Sequence, residues 1–97
     1  MAKILVIDDE RSIRNSMKDI LSFEGHEVSI AENGLEGLVA VKTNKPEVVF
    51  CDIKMPKMEG IEVLERIKEI APETSVVMIS GHGTIDTAIE AIKKGAY

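Results

Sequence analysis

The sequence predicts an α/β domain built on a doubly wound parallel sheet. Apolar runs of strand length alternate with segments of helical periodicity, four times over. Residues 4–7 and 48–51 are apolar without a break, as in strands buried on both faces. The segments joining the runs are long enough to be helices, and parallel strands need crossovers of that length.

Residues 3–8 form the first expected strand, which runs into Asp8, Asp9 and Glu10. From residue 10 to 23, Ile13, Met17, Ile20 and Leu21 recur at helical spacing and are expected to face inward. Asp9 is expected to cap this helix or to accept from its first turn, and Gly25 to follow its last turn. Residues 27–30 alternate as a short edge strand. Asn33-Gly34 marks a turn into a helix over 35–43, with Leu35, Leu38 and Val39 inward. Gly37 counts against that helix, and Pro46 closes it.

The run Val48-Val49-Phe50-Cys51-Asp52 is the expected central strand and ends on a carboxylate. Met55-Pro56 and Glu59-Gly60 describe a loop. A helix over 60–70 turns Ile61, Leu64 and Ile67 inward. A strand over 75–79 then ends on Ser80. Ser80-Gly81-His82-Gly83 reads as a loop, and Thr84 as the N-cap of a fourth helix with Ile85, Ala88, Ile89 and Ile92 in one stripe. Lys93-Lys94 suits that helix's C-terminal end, with Gly95 as its cap. Right-handed crossovers arrange the strands as 2-1-3-4, a flavodoxin-like order. Its switch point lies between the first and third strands, bounded by Asp8 and Asp9 on one side and Asp52 on the other.

Ninety-seven residues make one domain. A net charge of −5 argues against a direct nucleic-acid surface. One cysteine excludes an internal disulfide and a thiolate metal site, and Cys51 reads as a buried small hydrophobe. No apolar run approaches membrane-spanning length and no signal-peptide layout opens the chain, so a cytoplasmic protein without membrane contact is expected.

Three carboxylates gathered at adjacent strand ends repel one another unless a cation joins them. Hard oxygen donors of this kind suit Mg²⁺, which takes one or two carboxylates together with waters and phosphate oxygens. A carboxylate can also be the nucleophile of phosphoryl transfer, giving an aspartyl phosphate. Ser80 lies where a hydroxyl could donate to a phosphoryl oxygen. Taken alone, Ser80 is a turn residue and Asp8 a helix-start residue; their combination with Asp52 gives them weight. His82 carries no catalytic role, and Lys54 and Lys57 read as solvated charges. An aspartate-nucleophile phosphatase of the haloacid dehalogenase type would need an acid two residues after its nucleophile. Lys54 stands there for Asp52, whereas Glu10 after Asp8 fits loosely, and turnover of a generic phosphate ester tests this reading. A flavin site is disfavoured by the clustered carboxylates and by an aromatic content of 3%.

Val-Ile-Asp-Asp-Glu at 6–10, Cys-Asp-Ile-Lys-Met-Pro at 51–56 with Glu-Gly at 59–60, and Ile-Ser-Gly-His-Gly-Thr at 79–84 resemble the receiver domains of two-component response regulators. The resemblance spans the chain in order and spacing, and its last stretch is most similar to the nitrogen-regulatory type. It implies the receiver fold, with Asp52 as the phosphoacceptor supplied by a sensor histidine kinase. Asp9, Asp52 and the backbone carbonyl of Lys54 would bind Mg²⁺ directly, Asp8 would act through water, and Ser80 would contact the phosphoryl group as a switch. A phosphoacceptor with its own slow dephosphorylation is implied, rather than a multiple-turnover enzyme. The resemblance also implies ATPase and DNA-binding output domains in a parent protein, and so control of transcription.

Receivers of this family carry a fifth strand and helix, with a phosphoryl-contacting lysine that no residue here matches. The expectation is therefore a single receiver domain over 1–97 that is C-terminally incomplete. A homodimer across the fourth strand or fourth helix is expected to cover the exposed edge. The alternative is a phosphorylation-deficient interaction or dimerisation module that keeps the fold.

Overall fold

The two unbroken apolar runs form the middle of the sheet. The computed structural model describes residues 1–53, 55 and 58–79. Its elements are β1 (Lys3–Ile7), α1 (Arg11–Phe23), β2 (Glu27–Ala31), α2 (Gly34–Asn44), β3 (Val48–Asp52), α3 (Gly60–Ile70) and β4 (Ser75–Ile79). The strands are all parallel in the order β2-β1-β3-β4, as expected. The expected loop and helix after residue 79, with Ser80, His82 and the Ile85–Ile92 stripe, lie outside the described residues, as do Lys54 and Lys57.

Alternation along β1 sorts the two faces. Leu5 and Ile7 join Val49, Cys51 and Val76 from the sheet and Val41, Val63, Leu64 and Ile67 from α2 and α3 in one core cluster. Ile4 and Val6 are buried on the other face, where α1 lies against β1 and β2. The α3 stripe is as expected: Ile61, Leu64 and Ile67 are buried, and Val63 joins them. Burying each such side chain contributes about 1.5–3 kcal/mol, so among the described residues the α2–α3 face carries most of the hydrophobic stabilisation.

The other two helices depart from the expected stripes. In α1, Ile13, Met17 and Leu21 are half-buried, while Ile20 is 63% exposed, and the helix has no fully buried residue. Among the described residues, the elements it chiefly meets are β1 and β2. In α2, Leu38 packs against the core, but Leu35 and Val39 are 53% and 63% exposed. The face turned inward is Gly34, Gly37 and Val41. A Cβ at Gly37 would collide with the Ile7 side chain, so this glycine lets the helix backbone seat directly on β1. Sequence periodicity ranks large side chains as inward and cannot register a face made of absent ones.

The helix ends follow local chemistry. Asn33 caps α2: its Oδ1 accepts from the Glu36 N–H at 3.0 Å, and its Nδ2 donates to Glu36 Oε2 at 3.0 Å. The end of α1 is a Schellman turn, with the His26 N–H donating to the Leu21 carbonyl and the Gly25 N–H to that of Ser22. Gly25 takes the left-handed φ of 91° that this turn requires.

Replacing Gly37 with Leu should cost about 1–3 kcal/mol by overpacking against Ile7. Val39→Gln, on the same helix, should change stability by no more than about 0.5 kcal/mol. Urea unfolding of the two variants checks the inverted face: a costly Val39→Gln with a tolerated Gly37→Leu would contradict it.

Candidate functional site

Parallel pairing puts the carboxyl ends of β1 and β3 side by side, with Ile7 opposite Cys51. The residue after Ile7 is Asp8 and the residue after Cys51 is Asp52, so two acids become neighbours at the carboxyl edge of the sheet. Asp9 follows in the β1–α1 connection. The three carboxylates offer ligand atoms that all lie within 4.8 Å of one another, the one such metal-capable cluster among the described residues. Asp8 and Asp52 are 1% and 2% exposed, whereas Asp9 is exposed.

Asp8 is held from several sides. Its N–H extends the sheet by donating to the Ala31 carbonyl at 3.1 Å. Its Oδ1 accepts from the Glu10 N–H at 2.9 Å, and its own carbonyl accepts from Arg14 Nη1 at 2.9 Å. The expected capping bond from Asp9 is not formed; its neighbour Asp8 instead accepts from the N–H of the residue at the N-cap position. Glu10 occupies the N-cap position of α1 with no capping bond from its side chain, and it is Asp8 that satisfies the Glu10 N–H. Asp8 is still tied to the sheet through its N–H, two residues before the N-cap, and that spacing suits its carboxylate to accept from the Glu10 N–H.

Burial pushes the Asp8 carboxyl above the usual aspartate range. The Asp9 and Glu10 charges add to this, while the Glu10 N–H and the Arg14 guanidinium oppose it. Cys51 is fully buried, and its thiol is pushed up to about 12 by burial and then by Asp52 and Asp8. It behaves as the small hydrophobe expected, with its Sγ within 3.4 Å of the Asp52 carbonyl.

Gly60, read from the sequence as the end of a loop and as part of the family motif, packs against the backbone of Asp52. Its N–H donates to the Ile53 carbonyl at 2.7 Å. A Cβ there would strike the Asp52 carbonyl and the Ile53 Cα. The first residue of α3 therefore packs on the backbone that carries the Asp52 carboxylate, which only glycine permits. Ser80 and the Lys54 carbonyl, the other expected contributors, lie outside the described residues.

The donor set fits Mg²⁺: three carboxylates, with no nitrogen or sulfur ligand among the described residues, two of the acids shielded from solvent and the third open. A groove of about 750 Å³ opens at the opposite end of the sheet, lined among others by Val41, Pro46, Val48 and Ile70. It contains none of the three acids and has no part in this chemistry.

Residues 4–97 match the response regulator receiver domain family. The nitrogen assimilation regulatory protein NtrX of Azorhizobium caulinodans is 42% identical over 96 residues, covering 97% of this chain and 21% of that protein. The transcriptional regulatory protein ZraR of Klebsiella oxytoca is 40% identical over 93 residues, covering 96% of this chain and 21% of that protein. The chain thus spans about a fifth of the length of either relative. The solution structure of the beryllofluoride-activated NtrC4 receiver domain dimer superposes with a TM-score of 0.91 at 41% identity, covering 100% of this chain and 80% of that one.

An acid raised in the folded state keeps its proton to higher pH there than in the unfolded chain. Its contribution to stability therefore falls as pH rises from the ordinary value of 3.8 through the folded one. Asp8→Asn should abolish this fall. Without metal, the variant should melt above the wild type at neutral pH, and the two should converge in acid, as thermal unfolding across a pH series will register. Gly60→Ala should cost about 1–3 kcal/mol, because the group it meets is backbone and cannot rotate away. A denaturation midpoint unchanged from wild type would show that the α3 start does not press on Asp52.

Proposed function

The chain belongs to the response regulator receiver domain family, and on that premise we propose that Asp52 is its phosphoacceptor, supplied by a sensor histidine kinase in a Mg²⁺-dependent reaction. The observation that carries the reading is the convergence of Asp8, Asp9 and Asp52 within 4.8 Å at the carboxyl edge of the sheet. Asp9 and Asp52, with the Lys54 carbonyl, would hold the ion directly, and Asp8 would hold it through water. Bound Mg²⁺ supplies the positive charge that offsets the carboxylates and the phosphoryl oxygens together.

In the transfer, an Asp52 carboxylate oxygen attacks the phosphorus of a phosphohistidine. A P–O bond forms and the P–N bond breaks, with its electron pair returning to the imidazole nitrogen. Asp52 suits this step because it is fixed by β3 and by the Gly60 contact, so little positional freedom is lost on the way to the transition state. Its burial limits the access of water to the product acyl phosphate. Ser80 is assigned the contact to the phosphoryl oxygens.

The parent protein is assigned a role in transcription, through ATPase and DNA-binding output domains. The support is likeness to NtrX, named as a nitrogen assimilation regulator, and to ZraR, named as a transcriptional regulator. Residues 1–97 form one receiver domain in this reading. A homodimer across β4 or the helix expected after it is part of the same proposal. It is supported by the position of β4 at the edge of the described sheet and by the likeness to the NtrC4 receiver domain dimer. No described helix is long and apolar enough to cross a membrane, in keeping with a cytoplasmic site of action.

Intact-mass spectrometry after incubation with a small-molecule phosphodonor and Mg²⁺ tests the central assignment. The wild type should gain one phosphoryl adduct that a chelator prevents and Asp52→Asn lacks. An adduct that persists in Asp52→Asn would overturn the assignment. So would a folded wild type that gains none, which would leave the phosphorylation-deficient interaction module as the reading.

A further inference from the structure

Although α1 has no fully buried residue and no side-chain cap, its first turn is tied to the acidic site twice. Both ties run through Asp8. The Asp8 side chain accepts from the Glu10 N–H at the helix start. The Asp8 backbone carbonyl accepts from the Arg14 guanidinium, one turn further along. That carbonyl belongs to the peptide unit whose nitrogen is that of Asp9. The unit is planar and rigid, so fixing its oxygen fixes the direction in which the Asp9 Cα leaves it. Arg14 thus constrains the acid that follows Asp8 without touching its carboxylate.

We infer that Arg14 is a positioning residue for the cation site: its hydrogen bond to the Asp8 carbonyl holds the Asp8–Asp9 peptide in the orientation that lets the two carboxylates converge with that of Asp52. The inference rests on the Mg²⁺ reading above and adds two consequences. Ion affinity depends on the seating of α1, and by reciprocity an occupied site steadies the first turn of α1. Simple electrostatics gives the opposite sign. A guanidinium beside a cation site repels the cation, so if charge were its only effect, removing it would tighten binding.

Two uncharged replacements separate these effects. Arg14→Gln removes the charge and keeps an N–H donor, whereas Arg14→Met removes both. Glutamine and methionine have nearly equal helix propensity, so α1 itself is little altered. Mg²⁺ binding is measured by isothermal titration calorimetry on the 97-residue chain and both variants, each first shown to be folded by circular dichroism. Amide exchange over the first turn of α1 is followed with and without the ion. Arg14→Met should bind Mg²⁺ roughly threefold to tenfold more weakly than Arg14→Gln, about what one hydrogen bond contributes. Mg²⁺ should slow exchange in the wild type and in Arg14→Gln, and not in Arg14→Met. Equal affinities for the two variants, or tighter binding by Arg14→Met, would overturn the inference while leaving the Mg²⁺ site itself standing. A wild type that binds no Mg²⁺ would overturn both.

Discussion

The constraint on which the structure depends is the crowding of like charge at one edge of the sheet. Two unit charges about 4 Å apart repel by about 4 kcal/mol at an effective dielectric near 20. A small domain is stable by only about 5–15 kcal/mol in all. Three carboxylates within 4.8 Å therefore weigh against the whole fold when all are ionised, and burial of Asp8 and Asp52 sharpens the conflict. The metal-free chain relieves part of it by raising the Asp8 carboxyl and by bringing Arg14 close. A divalent cation would relieve the rest, so on the proposed reading the same crowding that weighs on the fold is what draws Mg²⁺ to it.

Parallel topology makes this crowding unavoidable. Any two adjacent parallel strands end on the same edge, and with the order β2-β1-β3-β4 the first and third strands lie side by side. An acid just past β1 and an acid ending β3 then face each other with no loop needed to bring them together. The interior of the sheet supplies the rigidity. The β1 and β3 residues that enter the α2–α3 core, Leu5, Ile7, Val49 and Cys51, are fully buried. Hydrophobic burial thus holds in place charges that would separate if they could.

This arrangement was legible in the sequence because it rests on features that patterning records. Unbroken apolar runs mark central strands, and the residues that end them mark the site. Sequence reading failed where the decisive feature was the absence of a side chain. Gly37 read as a flaw in a helix and is instead the contact that seats α2 on Ile7. Leu35 and Val39 read as core and face solvent. Gly60 read as part of a loop and carries the backbone of Asp52. The two acids of the β1–α1 connection were expected beside Asp52 and lie there, but which of them meets the helix start depended on the exit path of the chain, which no local propensity encodes. Arg14 is invisible for a related reason. Its partner is a backbone carbonyl, and every residue has one.

The two faces of the sheet differ in how firmly they hold their part of the site. Asp52 belongs to the firm half: it ends β3, lies against Gly60, and backs onto the α2–α3 core. Asp8 and Asp9 lead into α1, which has no fully buried residue and is joined to the site through Asp8. An acceptor that must meet phosphorus in line gains from immobility. Ligands that must close around a cation, and later release it, gain from a support that opens at small cost in free energy. Placing the proposed nucleophile on the packed half and the proposed cation-holding acids on the lightly packed half would serve both needs. On the same reading a bound cation would have a route to α1 beyond its own ligands, through the hydrogen bonds that join Asp8 to Glu10 and Arg14.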